Sequence, residues 1–273
     1  MIDARQAYLQ NVVVAGLRAL GFHEQADRSI HFSYEIVALT PRCAAELGYR
    51  LSDEEANKPY VEVSGRKGLG VKADDLLDRL EAAARAEVDE RHPASPDSER
   101  AAIAHTIAIG ALRYFLLKFT RTAIIAFDFK DALSFEGETG PYCQYAVVRA
   151  RNIFRKLHEQ QPDFDPASLE KVNEEVAQRC FSAADGNALW EMVLHAGSLE
   201  TQIEAAVAAQ EPAFIAKYAF QLAQSFNLFY HHHRVLAEQD DAKKVFFLQL
   251  SRLVERQLAS ALDLLGIESP EKM

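Results

Sequence analysis

Cysteine is scarce: Cys43, Cys143 and Cys180 are odd in number, widely separated and form no CxxC pair. That excludes a disulfide framework and a cysteine-based zinc site, and it fits a reducing cytosol. Long apolar runs are missing too. None reaches the roughly 18 to 20 residues that a membrane-spanning helix needs, and MIDARQ lacks the basic and apolar zones of a secretory signal. The expectation is a cytoplasmic chain with no membrane partner. Positive charge is in deficit, with 30 Lys and Arg against 40 Asp and Glu and a formal charge of −10. A general polyanion binder is thereby excluded, because affinity for phosphate backbones comes from clustered cations. No acidic residue sits in an apolar setting that would raise its pKa for general-acid work, and no nucleophile elbow is found, so hydrolase readings are weak. What remains is an ordinary globular composition, 49% apolar and 26% charged, over 273 residues, enough for two domains or one large one.

Within this acidic chain one segment departs from the average. FEGETGPYCQY, residues 135–145, leads into AVVRARNIFRKL, and from Pro141 to His158 there are four Arg or Lys and no Asp or Glu. At 100° per residue, Tyr145, Arg149, Asn152 and Lys156 fall within about 60° of one another on a helix surface. An aromatic plane can stack an unpaired base, a guanidinium can meet phosphate, and an amide can read a base edge, so this face suits RNA. A plain solvated basic face has the same pattern.

The rest of the chain sorts into an α/β beginning and a helical remainder. MIDARQ leads into the helical pattern QAYLQNVVVAGLRALGF with no strand or cap before it, as in a piece of a longer protein. Strand-like IHFSYEIVAL and the alternating Tyr60–Val63 follow. Residues 73–91 read as a helix with Leu76, Leu77, Leu80 and Val88 on its buried stripe, stopped by Pro93 and Pro96. Ser95 is the expected N-cap of the next helix, with Pro96 at its first position. After extended TAIIAFDF, helices are expected over 141–158, 169–181, 188–209, 212–232 and 241–265, closed by Gly266. Short connections imply a bundle of antiparallel helices.

The loop Ser64-Gly65-Arg66-Lys67-Gly68-Leu69-Gly70 gathers backbone N–H groups and two cations after a strand, as phosphate cradles do. It fits neither a Walker A nor a dinucleotide pattern. His231, His232 and His233 point 100° apart along a helix and cannot all ligate one metal, so no metal site is read there; they suit a helix end. In the preceding helix Tyr218, Leu222, Phe226 and Phe229 recur at core spacing, leaving Asn227 and Tyr230 for an exposed surface.

FEGETGPYCQYAVVR resembles the segment of arginyl-tRNA synthetases in which a loop enters a GPYxQYAxxR helix, and further matches follow in order along the chain. YVEVSGRKGLGVKADDLLDRL is similar to the family's KMSKS-type loop and DDLLD helix, and ALRYFLLKFTRTAIIAFDFKDAL to its connecting region. SFNLFYHHHRVL resembles the FNxFY segment, LDLLGIESPEKM the usual C-terminus, and DARQ a piece near the substrate. The resemblance implies a mainly α fold: a DALR-type helical bundle over 136–273, a helical connecting region over 73–135, and over 1–72 an α/β remnant of a Rossmann-type catalytic domain. This is the C-terminal part of a class I aminoacyl-tRNA synthetase that joins arginine to tRNA(Arg), using ATP with Mg2+.

By the same resemblance, Ser64, Gly65, Arg66, Lys67 and Gly68 would line the ATP phosphates, with Arg66 and Lys67 acting catalytically. Asp3 and Gln6 would approach the substrate. Tyr145, Arg149, Asn152, Lys156, Phe226, Asn227, Tyr230 and Met273 would lie at the tRNA surface. Three departures stand out: Glu62 and Gly65 replace lysines of the KMSKS-type loop, Cys143, Val147 and Val148 depart from the helix signature, and Asp241-Ala242-Lys243-Lys244 alters the DALR tetrapeptide. No HIGH-type motif is found, so the isolated chain is expected not to aminoacylate and to hold no cofactor tightly. A helical protein-interaction module, or half of a split synthetase with a separate N-terminal chain, are the alternatives.

Overall fold

The computed structural model describes residues 2–62 and 71–273. They fall into two compact units, one running to Val71 and including Phe119–Phe129, the other comprising Lys72–Lys118 and Lys130–Met273. In the first unit a strand does precede the opening helix. Strand β1 (Ile2–Asp3) enters a 3-10 turn that Asp3 caps by accepting from the Arg5 N–H at 2.8 Å, and helix α1 (Ala7–Ala19) follows. The cap was missed because Asp3 serves a single tight turn rather than the long helix. After α2 (His23–Asp27), strand β2 (Ser33–Tyr34) pairs parallel with β1, with Ile2 opposite Ser33. Strand β3 (Val37–Leu39) leads into α3 (Pro41–Glu46), which Thr40 caps through the Cys43 N–H, and then α4 (Asp53–Ala56). Of the strand expected at Tyr60–Val63, Val61 forms an isolated antiparallel bridge with Leu39, and Val63 lies outside the described residues.

Helices α5 (Ala73–Arg91) and α6 (Asp97–Leu117) form an antiparallel hairpin in the second unit. Leu80, Ala84 and Val88 are the buried stripe of α5. The N-cap of α6 is Pro96, not Ser95. Ser95 instead accepts from Lys272 Nζ at 2.8 Å, while Asp97 accepts from Arg85 across the hairpin and from Arg100 within α6. By length and composition α6 passes for a membrane span, yet Ile103, Ala104, Ile107, Ala108, Ala111, Tyr114 and Phe115 are buried within the unit. Strand β4 (Ile125–Phe127) belongs to the first unit and pairs parallel with β3. There Asp128, 2% exposed, accepts from Thr40 Oγ1 at 2.5 Å and pairs with Arg42, tying the end of β4 to the start of α3.

Past α7 (Phe129–Leu133), helix α8 (Gly140–Gln160) begins with Thr139 accepting from the Tyr142 N–H and Pro141 in the first turn. Helix α9 (Glu174–Phe181) starts later than expected, because a 3-10 turn at Pro166–Leu169 takes the chain before it and Asn173 supplies the cap. The helix expected over 188–209 is two, α10 (Gly186–Gly197) and α11 (Leu199–Ala209), broken at Ser198. Helices α12 (Ala213–His232) and α13 (Asp241–Leu264) complete the bundle. Gly266, at φ 66°, ends α13, and the Ile267 N–H returns to the Leu262 carbonyl at 2.8 Å. Tyr218, Leu222, Phe226, Phe247, Leu248, Leu258 and Leu262 are central to the core, all under 2% exposed.

Candidate nucleic-acid interface

The GPYCQY segment is first a packing device. Gly140 lies against α6 so closely that a Cβ there would sit 2.3 Å from the Gly110 carbonyl oxygen. Gln144 is fully buried, and its Nε2 donates to the Thr106 carbonyl at 3.0 Å and the Glu268 carbonyl at 2.7 Å. One amide thus pins α8 to α6 and to the tail after α13. Reading the sequence as a surface motif missed this, since Gln144 looks like any polar helix residue until its neighbours are known.

With α8 so anchored, Tyr145 and Arg149 turn to the side where α12 presents Asn227 and Tyr230. The Arg149 guanidinium lies over the Tyr145 ring at 4.6 Å and over the Tyr230 ring at 4.7 Å. Its Nη1 donates to Asn227 Oδ1 at 2.6 Å. A cation held between two rings gains roughly 0.5–2 kcal/mol from their quadrupoles, and the planar fork is fixed in the process. All four side chains are half-buried or exposed, with Tyr230 38% exposed. Beside them a groove of about 260 Å³ is lined by Asn152, Lys156, Tyr230, His233, Arg234 and the backbone turn to Ala237. Among its described lining residues there is no carboxylate. Lys156 and Arg234 are exposed at its rim. Rings, an amide and exposed positive charge on a lip of this kind can hold an unstacked base and its phosphate.

Two of the sequence-derived tRNA residues lie elsewhere. Phe226 is fully buried, packed on Phe229 and Tyr230 at 6.0 and 6.3 Å, so it supports the surface without reaching it. Its core spacing outweighs its place in the FNxFY segment. Met273 helps close a separate recess with Ala84, Val88, Ile107, Leu133 and Phe135. The segment's positive charge is also less available than its composition suggests, because Arg151, on the other side of α8 from Arg149, is taken by Glu255 at 3.2 Å and by the Ser269 carbonyl. Two contributors, His233 and Arg234, were not singled out as groove residues. The signal was their position just past Tyr230, where the chain leaves α12 and folds back along the groove. His233 is wedged against Phe247 at 4.6 Å, and burial lowers its pKa from 6.5 against the pull of Asp185, 3.2 Å away.

In the first unit, Ser64, Gly65, Arg66, Lys67 and Gly68 lie outside the described residues. Several described cations near the start of the chain are engaged: Arg5 on Asp3 at 2.7 Å, Arg18 on Asp27 and Lys58 on Glu54. The bonds from Arg5 hold the Asp3 carboxyl down at about 2. Gln6 is half-buried in the turn after Asp3. The recess beside Val61 is lined by Glu55, Lys58 and Glu62, two acids to one paired cation. These described residues do not by themselves fit a nucleotide's phosphates.

Comparison with known proteins places this geometry. The DALR anticodon binding domain matches residues 143–273. The arginine–tRNA ligase of Limosilactobacillus fermentum is 33% identical over 99% of this chain, and that of Thermus thermophilus 34% identical over all of it. The chain spans 47% and 41% of their respective lengths. The solved Thermus thermophilus arginyl-tRNA synthetase superposes with a TM-score of 0.74 at 29% identity, covering 100% of this chain and 40% of that one. The Plasmodium falciparum arginyl-tRNA synthetase, at 20% identity, shares the fold over 74% of this chain and 34% of its own, with a TM-score of 0.61. Residues 143–273 therefore carry a DALR anticodon-binding domain, and the chain belongs to the arginyl-tRNA synthetase family as its C-terminal part.

Proposed function

We propose that this chain binds tRNA(Arg) at its anticodon end through the α8–α12 groove, and that in the intact, cytoplasmic enzyme it serves the ATP- and Mg2+-dependent attachment of arginine. The observation that carries the reading is Arg149 held between Tyr145 and Tyr230 with Asn227 on its Nη1, opening onto Lys156 and Arg234. The rings take an unpaired base, the guanidinium and amide meet its edge, and the two rim cations meet its phosphates. Residues 136–273 act as the anticodon-binding bundle, 73–135 as the connecting region, and 1–72 as the remnant of the catalytic domain. In that remnant the Ser64–Gly68 loop faces the ATP phosphates, Arg66 and Lys67 offset charge on the leaving pyrophosphate, and Asp3 and Gln6 approach the substrate.

The test is fluorescence anisotropy with a labelled tRNA(Arg) anticodon stem-loop. Base–aromatic stacking is worth about 1–3 kcal/mol, so Tyr230→Ala should weaken binding roughly 5- to 150-fold. Lys156→Ala should weaken all sequences alike and lower the salt slope by about 1. Unchanged binding in both variants would favour a protein-interaction module. A pyrophosphate-exchange assay on the isolated chain should show no arginine-dependent turnover.

A further inference from the structure

Helix α12 borders a second groove on the side turned away from Arg149. At 100° per residue, Leu228, His232 and Ser225 lie within about 60° of one another, and Tyr230 is about 160° round the helix from Leu228. Helix α10 runs antiparallel beside this arc. At one end the Tyr218 hydroxyl donates to the Ala196 carbonyl at 3.0 Å, and at the other Asp185 lies 3.2 Å from His233 Nε2. Between the two helices is a cavity of about 390 Å³, on the scale of sites that take ligands. Ala188, Leu189, Leu228 and Phe229 give it apolar walls, with Asp185 and Glu191 at its edge. Leu228 is 53% exposed there, and Leu194, one turn past Glu191, is 55% exposed. Uncovered leucines along an interhelical groove mark a place for a partner.

The charges say what kind of partner. No Lys or Arg lines this groove, whereas the groove on the Arg149 side has Lys156 and Arg234 and no carboxylate. Glu191 is exposed, and the Asp185 side chain is 51% exposed. Burial holds His233 below 6.5, so at neutral pH its imidazole is uncharged and leaves the charge of Asp185 standing. An RNA strand or an anionic membrane would meet these carboxylates with no cation to offset them. A second copy brings the same formal charge of −10. A helix with apolar residues at i, i+3, i+4 and i+7 and cations on its flanks satisfies both features, since grooves between helices take such stripes. We infer that the α10–α12 groove is a docking site for a basic amphipathic helix of another polypeptide, which packs its apolar stripe on Ala188 and Leu228 and sets Lys or Arg against Asp185 and Glu191. This inference stands apart from RNA binding on the opposite side of α12.

The experiment uses the full chain and a fluorescein-labelled helical peptide of leucine and lysine, with leucines at i, i+3, i+4 and i+7, followed by anisotropy. Binding should saturate, and a scrambled peptide of the same composition should bind roughly tenfold more weakly or worse. Leu228→Asn should weaken the helical peptide about tenfold by removing an apolar contact. Glu191→Lys should weaken it about 3- to 10-fold, while Glu204→Lys, the same charge change on α11, should cost less than about twofold. Both groove variants alter exposed positions and should keep the parent urea midpoint. Unchanged binding in Leu228→Asn, or equal losses in Glu191→Lys and Glu204→Lys, overturns the inference, because bulk acidity alone is then felt. So does a dimer of the chain, by sedimentation, that Leu228→Asn dissolves, or full displacement of the peptide by an equal concentration of arginine amide. Tyr230→Ala should leave peptide binding intact and Leu228→Asn should leave anticodon stem-loop binding intact, so failure of one groove is told apart from failure of the other. Loss of stem-loop binding in Leu228→Asn would assign this face to RNA and overturn the inference.

Discussion

Gly140→Ala tests the packing on which the groove depends. The added Cβ would lie 2.3 Å from the Gly110 carbonyl oxygen and 2.7 Å from its carbon. Backbone cannot rotate aside as a side chain can, so α8 must back away from α6 by about 1 Å to restore ordinary contact. Overpacking of this kind costs about 1–3 kcal/mol. The same displacement stretches the Gln144 bonds to Thr106 and Glu268, now 3.0 and 2.7 Å, each worth about 0.5–1.5 kcal/mol net. The gain in helix propensity, at most about 1 kcal/mol, offsets part of this. A loss of about 2–4 kcal/mol follows, or roughly 5–15 °C in Tm for a unit of this size. The chain has a single tryptophan, Trp190, which lies on α10 within the same unit and touches the Phe181 ring at 5.1 Å. Its fluorescence therefore follows unfolding of the bundle in urea. Gly16→Ala, placed in open space on an exposed helix, is the control and should be neutral to stabilising. A Gly140→Ala midpoint within the error of the parent would refute the close-approach argument and, with it, the account of how Tyr145 and Arg149 are aimed.

Two other outcomes are expected. His195 and His233 are both held below 6.5, mainly by burial. Between their native values and 6.5 the unfolded chain takes up protons that the fold refuses, so stability is full above about pH 7 and falls as pH drops. Urea midpoints read by Trp190 should decline from pH 7.5 to 5.5, and less steeply in His233→Gln; a flat profile would contradict the assignment. Asp128→Asn weakens a buried carboxylate's bonds to Thr40 and Arg42. Because Arg42 is 47% exposed and can rehydrate, the loss should be nearer about 2 kcal/mol than the 3–5 of a fully buried pair. Limited proteolysis should then cut the first unit sooner while the Trp190 signal is retained.

The sequence made the helical bundle legible because caps and breakers act locally: Thr139 with Pro141 opens α8, and Gly266 closes α13. The meeting of Tyr145 and Arg149 with Asn227 and Tyr230 could also be anticipated, since each pair falls on one face of its own helix and the family resemblance supplied the pairing of the two. What stayed hidden depends on neighbours distant in sequence. Gln144 is polar yet fully buried because carbonyls of Thr106 and Glu268 wait for it. Phe226 fits a core period and a surface motif equally, and only the crossing of α12 with α13 decides between them. Arg151 counts toward the segment's positive charge until Glu255, 104 residues on, claims it. The parallel strands were faint because two- and three-residue strands leave almost no alternation to detect.

The groove beside Arg149 is a small cationic window in a molecule of charge −10. In dilute salt, where the Debye length reaches about 30 Å, an approaching polyanion feels the repulsion of the acidic body before it reaches the groove. Attraction begins only when a strand arrives in the right orientation. Added salt should thus act in opposite senses on the two rates, easing the encounter by shielding the body and hastening departure by loosening Lys156 and Arg234. If the groove serves as proposed, it would not slide along any nucleic acid it meets; it would admit a loop that presents its bases outward and turn away the uniform flank of a duplex.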